Sequence, residues 1–214
     1  MKVLILANGE LFKSDVLQRR IRNEAFDLML GADGGALYAD TLKVTLDAII
    51  GDLDSLSVAE QKGIGNTKLV SYPPEKDETD LELALHYAEE QGAAQIVIVG
   101  AIGGRMDMTI ANMLMISHAS FSSCKIKVWH GEQTGWVIRP PGEDISGHPG
   151  DIVSLIPIGG NASGITTRGL KYSLNDEDLS MVTPRGISNR LESPFAHIKL
   201  SDGLLLVIHT PEGT

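Results

Sequence analysis

The first 130 residues alternate short apolar runs with segments of helical spacing, and this alternation restricts the possible folds more than any other feature of the chain. Residues 96–99 are β-branched and apolar on both faces, as expected for a central strand of a parallel sheet. Similar runs at residues 3–7, 28–30 and 48–50 each lead into a polar loop. Strands that alternate with helices favour a parallel sheet with helices on its faces. We therefore predict a Rossmann-like α/β domain for residues 1–130.

The pattern changes near residues 130 to 135, after which no segment has convincing helical spacing. Strand-like runs, separated by Gly, Pro, Asn and Asp, lie at residues 152–157, 164–170, 195–200 and 204–208. This pattern predicts a smaller all-β sandwich domain for residues 131–214. A domain of about 80 residues is near the lower limit of independent stability, so we expect it to rely on its partner domain or on a second subunit.

Three acidic clusters lie at predicted junctions between a strand and a helix. They are GDLDS at residues 51–55, KDETD at 76–80 and GGRMD at 103–107. Because the carboxyl ends of parallel strands meet at one edge of a sheet, we expect these clusters to lie close together. Asp52 and Asp54 can point the same way in an extended segment, and their charges repel unless a cation neutralises them. A hard divalent ion bound to phosphates is the natural candidate.

Each cluster also has a purely structural interpretation. GDLDS is typical of a turn. Thr79 and Glu82 fit a capping box with Asp80 in the first turn of a helix, and Asp107 fits the cap of the following helix. The repetition of carboxylates at three junctions favours a shared site over three separate turns and caps.

The segment GADGGA at residues 31–36 has two interpretations as well. Its glycines allow either close approach of the backbone to a ligand or a tight turn that packs a helix on the sheet. The position of Asp33 just beyond a predicted strand favours ligand contact. Residues 15–26 and 58–62 are predicted to be helical, the second weakly.

Composition excludes several classes of function. The net charge of −10 argues against a nucleic-acid surface or an anionic membrane as the main partner. The single Cys124 excludes an internal disulfide, and the six His residues show no metal-ligand spacing. No apolar run approaches the ~18 residues of a membrane span, and the apolar start is too short for a signal peptide, so we expect a cytoplasmic protein. The phosphate loop GxxxxGK[ST] and the dinucleotide loop GxGxxG are absent from the sequence.

A family resemblance accounts for these motifs together. With GADGGA, GDLDSL, KDETDLELAL and GAIGGRMDMTIANML in this order, followed by GISNRL and GLLLVI, the sequence resembles the thiamine pyrophosphokinases over nearly its whole length. The resemblance implies a parallel α/β domain joined to a β-sandwich, and a homodimer whose active site is shared between subunits. It implies transfer of the terminal pyrophosphate of ATP, the co-substrate, to thiamine with Mg²⁺.

The resemblance also assigns residues. It places Asp52, Asp54 and Asp80 around the metal and the transferring phosphates, as catalytic and metal-binding residues. The residues implied for the nucleotide and thiamine pocket are Asp33, Gly34, Gly35, Asp77, Gly104, Arg105 and Asp107. Ser188 and Asn189 match a segment that contacts thiamine from the β-domain.

Two residues depart from the family pattern. Met108 stands where many members have His, and Leu191 replaces an aromatic residue of eukaryotic members that could stack on the pyrimidine of thiamine. Two other functions therefore stay open on the sequence alone. One is pyrophosphoryl transfer to another hydroxymethyl substrate, such as a pterin. The other is a non-catalytic sensor of thiamine or nucleotide, against which the full set of carboxylates argues.

Overall fold

The computed structural model describes residues 1–54 and 67–213, so the predicted helix at 58–62 and Ser55 of GDLDS lie outside the described residues. The chain divides into two compact units. The first comprises Met1–Met115 with Ser120–Gly131, and the second comprises Ile116–Ala119 with Glu132–Thr214. The domain boundary predicted from the sequence follows residue 130.

The first unit contains a parallel sheet. Its strands are β1 (Lys2–Leu6), β2 (Leu28–Ala32), β3 (Ala48–Gly51), β4 (Lys68–Ser71), β5 (Gln95–Val99) and β6 (Lys125–His130). They pair in the order β4-β3-β2-β1-β5-β6, and each of these pairings is parallel. Because β1 is followed in the chain by β2 on one side and paired with β5 on the other, the strand order reverses between β1 and β5. Open α/β sheets bind ligands just beyond the carboxyl ends of the strands at such a point.

In the part of the chain that the structure describes, helices connect several of these strands. The α-helices are Ser14–Arg22, Tyr38–Leu42, Asp80–Glu90 and Met106–Met115, and short 3-10 helices span Asp33–Leu37 and Ala119–Ser123. Strand β1 is buried from Val3 to Leu6, with Leu4 paired with Met29 of β2 and Val97 of β5. The apolar runs of the sequence thus form the buried strands, and the prediction of a mixed α/β fold is confirmed.

Two helices begin within the acidic segments KDETD and GGRMD. The backbone N–H of Glu82 donates a 3.2 Å hydrogen bond to Thr79 Oγ1, so Thr79 caps the helix Asp80–Glu90 as predicted. Asp107 does not cap its helix, because that helix already begins at Met106. The interpretation of Asp107 as a cap is therefore wrong, and its carboxylate lies in the first turn, where the helix dipole favours it.

The second unit consists of antiparallel strands around its own core. They are β7 (Gln133–Ile138), β8 (Gly142–Ser146), β9 (Ile152–Arg168), β10 (Glu177–Leu179), β11 (Asn189–Arg190), β12 (Phe195–Lys199) and β13 (Asp202–Thr210). The principal pairs follow the order β7-β13-β9-β12-β8, and β10 and β11 also pair with β9. The apolar core of this unit includes Ile138, Val153, Leu191 and Val207.

Strand β9 corrects the prediction of two separate strands at 152–157 and 164–170. It is one strand of 17 residues that changes partners along its length. Its first half pairs mainly with β13, Ala162 and Ile165 pair with β10, and its last residues pair with β12. Gly159 and Gly160, with φ of 71° and 152°, lie where the register with β13 shifts, between Ile158 and Ser163. No helix in the described part of the chain is long and apolar enough to cross a membrane.

Candidate active site

Three carboxylates converge at the carboxyl edge of the parallel sheet. Asp33 directly follows β2, Asp52 directly follows β3, and Asp80 begins the helix Asp80–Glu90. One carboxylate oxygen from each residue lies within 4.8 Å of the other two. Because β2 and β3 are parallel neighbours, the residues that follow them emerge side by side. This carboxylate cluster is close enough for one cation to bind all three groups.

Asp33 is the buried member of the carboxylate cluster. It is 5% exposed, its φ of 42° is in the left-handed region, and its Oδ1 has no hydrogen-bond partner among the described residues. A buried carboxylate oxygen without a donor is costly unless a cation compensates it. Three carboxylates supply the hard oxygen ligands that Mg²⁺ prefers, so the residues present fit this ion.

Gly51 lets the carboxylate cluster form. It ends β3 with a φ of 149°, and a Cβ atom there would lie 3.0 Å from both Asp33 Cβ and Asp80 Oδ1. Any larger residue would therefore push the carboxylates apart or distort the strand end. The glycine of the GDLDS motif makes room for two carboxylates from other elements.

Lys76 joins two carboxylates of the cluster. Its Nζ lies 2.7 Å from Asp80 Oδ1 and 3.8 Å from Asp52 Oδ2, and its side chain is only 11% exposed. Burial alone would lower the pKa of Lys76. The hydrogen bond to Asp80 and the charges of the carboxylate cluster outweigh that effect, so the pKa of Lys76 lies above its ordinary value. Sequence reasoning gave this lysine no role, although its position four residues before Asp80 was visible.

A pocket of about 260 Å³ adjoins the carboxylate cluster. It is lined by Ala7, Asn8, Gly9, Ala32, Asp33, Thr79, Asp80, Leu81, Ala101, Gly103, Gly104, Arg105, Met108 and Asn112. The loops that follow β1 and β5 form much of the lining, where the strand order reverses. Gly9 N donates to Gly100 O at 2.7 Å, and a Cβ on Gly9 would lie 2.4 Å from the same oxygen. Glycine is therefore required for the two loops to meet.

Two pocket residues were missed by sequence reasoning. Asn112 is 6% exposed, its Nδ2 donates to Ala101 O at 2.8 Å, and its Oδ1 has no partner among the described residues. The signal available in the sequence was the position of Asn112, a polar residue in the otherwise apolar stretch before Met115. Asn8, which directly follows the first strand, carried no comparable signal beyond its position.

Arg105 and Asp107 lie at the exposed edge of the site. Arg105 Nε and Nη2 donate to the two carboxylate oxygens of Asp107 at 3.1 and 2.5 Å. Their side chains are 72% and 66% exposed. The hydrogen bonds from Arg105 lower the pKa of Asp107, and the hydrogen bond to Asp107 raises the pKa of Arg105. Both groups are therefore charged at neutral pH.

The remaining predicted residues of the first unit contribute no carboxylate oxygen to the cluster. Asp54 is exposed, and its backbone N–H donates to Asp52 Oδ1 at 3.2 Å. Asp77 is also exposed. Gly34 and Gly35 are buried, and a Cβ on Gly35 would lie 2.2 Å from the backbone oxygen of Leu6, so this glycine packs the 3-10 helix on β1. The structure thus brings Asp33, rather than Asp54, together with Asp52 and Asp80.

Comparison with known proteins now identifies the family. Residues 21–128 match the family model of the thiamin pyrophosphokinase catalytic domain, and residues 139–205 match that of the thiamin pyrophosphokinase vitamin B1 binding domain. The chain is 30% identical over 189 residues to thiamine pyrophosphokinase of Bacillus subtilis, covering 86% of this chain and 88% of the relative. This chain belongs to the thiamine pyrophosphokinase family.

Solved structures of thiamine pyrophosphokinases have the same fold. A crystal structure of the Bacillus subtilis protein superposes with a TM-score of 0.86 and 25% identity, over 99% of this chain and 100% of that chain. The yeast thiamin pyrophosphokinase superposes with a TM-score of 0.80 over 98% of this chain and 86% of that chain. The yeast protein is only 21% identical, so that likeness concerns the fold alone.

Ser188 and Asn189 lie in the region matched by the vitamin B1 binding model. Ser188 is exposed with a φ of 61°, and its backbone N–H donates to Ser154 Oγ at 3.0 Å. Asn189 is buried, with its Oδ1 accepting from Tyr172 N and its Nδ2 donating to Tyr172 O. Its amide therefore fixes the loop around Tyr172. A second cavity, of about 190 Å³, is lined in part by Tyr172, Ile187 and Asn189.

The two departures from the thiamine pyrophosphokinase pattern occupy different environments. Met108 lines the pocket beside the carboxylate cluster. Leu191 is 2% exposed and packs in the core of the second unit. Leu191 is not among the described residues that line the second cavity.

Proposed function

We propose that this chain transfers the pyrophosphoryl group of ATP to thiamine and yields thiamine diphosphate and AMP. The observation that best supports this reaction is the carboxylate cluster of Asp33, Asp52 and Asp80 at the edge of a glycine-lined pocket. Membership of the thiamine pyrophosphokinase family supplies the substrates. The pocket lies at the reversal of strand order, which is where α/β sheets bind nucleotides.

We further propose that the carboxylate cluster holds Mg²⁺, with Asp54 nearby on the same loop as Asp52. The ion would neutralise negative charge on the phosphates and so favour attack at phosphorus. The fit rests on the buried, unpartnered Asp33 Oδ1 and on the all-oxygen donor set. We propose that Asp54, whose backbone N–H donates to Asp52 Oδ1, acts at the same metal and phosphate site.

The residues of the chain have distinct roles in this proposal. The hydroxyl oxygen of thiamine attacks the β-phosphorus, the bond from that phosphorus to the bridging oxygen of the α-phosphate breaks, and AMP leaves. Asp80 is the proposed group that orients or accepts the hydroxyl proton. Arg105, with Asp107 as its partner at the exposed edge, suits the phosphate oxygens of ATP. Gly103 and Gly104 allow the backbone to approach the nucleotide, and no protein nucleophile is needed.

The proposed assembly is a cytoplasmic homodimer in which Ser188 contacts thiamine at a site shared between subunits. We also propose that the fold is a Rossmann-like domain followed by a β-sandwich. The parallel strands of the first unit and the antiparallel strands of the second support it. The small size of the second unit supports reliance on a partner.

The test is product identification. The protein is incubated with ATP, Mg²⁺ and thiamine, and the products are identified by mass. We expect AMP and thiamine diphosphate in equal amounts. ADP with thiamine monophosphate would show a different transfer, and turnover of a pterin alcohol in place of thiamine would show a different acceptor.

A further inference from the structure

Lys76 fills the position that a cation takes between two members of the carboxylate cluster. Its Nζ donates to Asp80 Oδ1 at 2.7 Å and lies 3.8 Å from Asp52 Oδ2. We propose that Lys76 is a positioning residue that substitutes for the divalent ion in the metal-free protein. The ion then displaces the ammonium group from Asp80, so Lys76 limits metal affinity until the nucleotide arrives.

The electrostatics of the carboxylate cluster support a substituting cation. Three carboxylate oxygens within 4.8 Å of one another repel strongly, and Asp33 is almost fully buried. A single nearby ammonium group neutralises part of that charge and keeps Asp52 and Asp80 converged without a metal. The Nζ atom donates to the same carboxylate that a metal would use, so the two cations compete for Asp80.

Once the metal ion displaces it from Asp80, the Lys76 ammonium group moves to a second position. Lys76 sits four residues before Asp80, ahead of the helix N-terminus, and its long side chain allows the ammonium group to move while the backbone stays in place. A freed ammonium group beside the metal is suited to phosphate oxygens of the nucleotide. The competition part of this inference rests on the proposed metal site and not on the proposed transfer reaction.

Binding of Mn²⁺ in the absence of nucleotide tests the competition. Three variants are compared by titration calorimetry: Lys76→Met, which removes the charge, Lys76→Arg, which retains it, and Lys68→Met as a control. Lys68 lies in the same unit with its Nζ 5.4 Å from the centre of the Tyr87 ring, away from the cluster. We expect Lys76→Met to bind Mn²⁺ roughly tenfold more tightly than wild type, because a like charge and a competitor are both removed. Lys76→Arg and Lys68→Met should remain near wild type.

Thermal unfolding separates this role from a merely structural one. In EDTA, Lys76→Met should melt below wild type, and Mn²⁺ should raise its melting temperature more than that of wild type. A lysine that only supports the fold would lower the melting temperature without raising the affinity for Mn²⁺. Unchanged or weaker Mn²⁺ binding by a folded Lys76→Met would overturn the proposal, as would the absence of Mn²⁺ binding in every form.

Wild-type protein provides a measurement that does not depend on the folding of a variant. The amine of Lys76 is labelled with an acetylating reagent with and without saturating Mn²⁺, and the modified peptide is quantified by mass. We expect labelling of Lys76 to increase severalfold with Mn²⁺, because the amine leaves Asp80, while labelling of Lys68 stays constant. Equal labelling of Lys76 in both conditions would overturn the displacement. If Lys76 and Mn²⁺ compete as expected but the wild-type protein makes no thiamine diphosphate, the result counts against the proposed function and not against this inference.

Discussion

Single residues of the site carry charge that the described part of the protein compensates only in part. Asp33 has a buried carboxylate oxygen with no hydrogen-bond partner among the described residues, which is costly unless a cation compensates it. Asp80 accepts a hydrogen bond from Lys76, whose charge offsets part of the charge of the carboxylate cluster. The buried Asp33 oxygen therefore indicates a cation site more directly than any single sequence motif does.

Replacement of Asp80 by Asn tests the role of the carboxylate cluster. We expect Asp80→Asn to lower turnover at least a hundredfold, which corresponds to about 3 kcal/mol of barrier. The reason is that an uncharged amide of nearly the same shape replaces one anionic ligand. The control is Asp40→Asn, an exposed position on the helix Tyr38–Leu42. Turnover is measured at saturating ATP and thiamine, and the fold is checked by circular dichroism. Near-normal turnover of a folded Asp80→Asn would remove Asp80 from the site.

Sequence reasoning reached part of this site. Asp52 and Asp80 were predicted to lie together because strand ends are recognisable from local apolar runs. Asp33 was placed in the pocket and not with the metal, since its part in the cluster depends on a left-handed backbone and on the order of β1, β2 and β3. The role of Asp54 stays a prediction, because exposure alone neither supports nor opposes phosphate contact.

At the scale of elements, the helix Asp80–Glu90 positions a carboxylate through its cap. Thr79→Ala removes the Oγ1 acceptor of Glu82 N, so we expect a loss of about 1 kcal/mol in the free energy of unfolding. Turnover should also fall, because Asp80 is the first residue of the helix and frays with it. The control Thr41→Ala changes an exposed threonine in a neighbouring helix and should change stability by less than about 0.5 kcal/mol. Urea denaturation gives both values, and equal effects would show that the cap contributes nothing.

A buried aspartate stabilises the start of β9. Asp151 is 2% exposed and accepts hydrogen bonds from His148 N, Glu212 N and His209 Nε2. Burial would raise the pKa of Asp151, but these hydrogen bonds and the neighbouring His209 outweigh it and lower the pKa. A lowered pKa in the folded state contributes stability that is present above the unfolded value of about 3.9 and is lost as pH falls through the folded value.

Asp151→Asn should therefore remove an acid-sensitive part of the stability. At neutral pH we expect the variant to lose about 1–3 kcal/mol in the free energy of unfolding, because Nδ2 cannot accept these hydrogen bonds. The difference from wild type should shrink as pH falls below about 4. Asp144→Asn is the matched control, since Asp144 also pairs with a histidine, His197, but both are exposed. A constant difference across the pH range would contradict the lowered pKa.

The elements also show where local sequence patterns fail. Strands β1, β3 and β5 were predicted because buried parallel strands are apolar on both faces. Strand β9 was predicted as two strands, since Gly159 and Gly160 are typical turn residues and the change of pairing partner leaves no local signal. Strands β7 and β8 were missed because their polar residues, such as Glu143 and Asp144, interrupt the apolar alternation.

In the proposed dimer, two differently inactivated subunits should complement each other. One chain carries Asp80→Asn, and the other carries Ser188→Arg, which places bulk and positive charge where cationic thiamine is proposed to bind. Each must be folded, dimeric and nearly inactive alone. If sites are shared between subunits, random mixing restores roughly a quarter of wild-type activity, because half of the dimers are mixed and each has one intact site. No recovered activity after verified subunit exchange, or a monomeric protein at assay concentration, would reject the shared site.

Pyrophosphoryl transfer and phosphoryl transfer differ in the bond of ATP that breaks. The most direct measurement is a single turnover of excess protein with thiamine, Mg²⁺ and ATP that carries ³²P at the β-phosphate. Attack on the β-phosphorus moves the label into thiamine diphosphate and leaves unlabelled AMP, which is the result expected here. Label in ADP would mean that only the terminal phosphate had moved, and label remaining in ATP would mean that the protein does not catalyse the transfer.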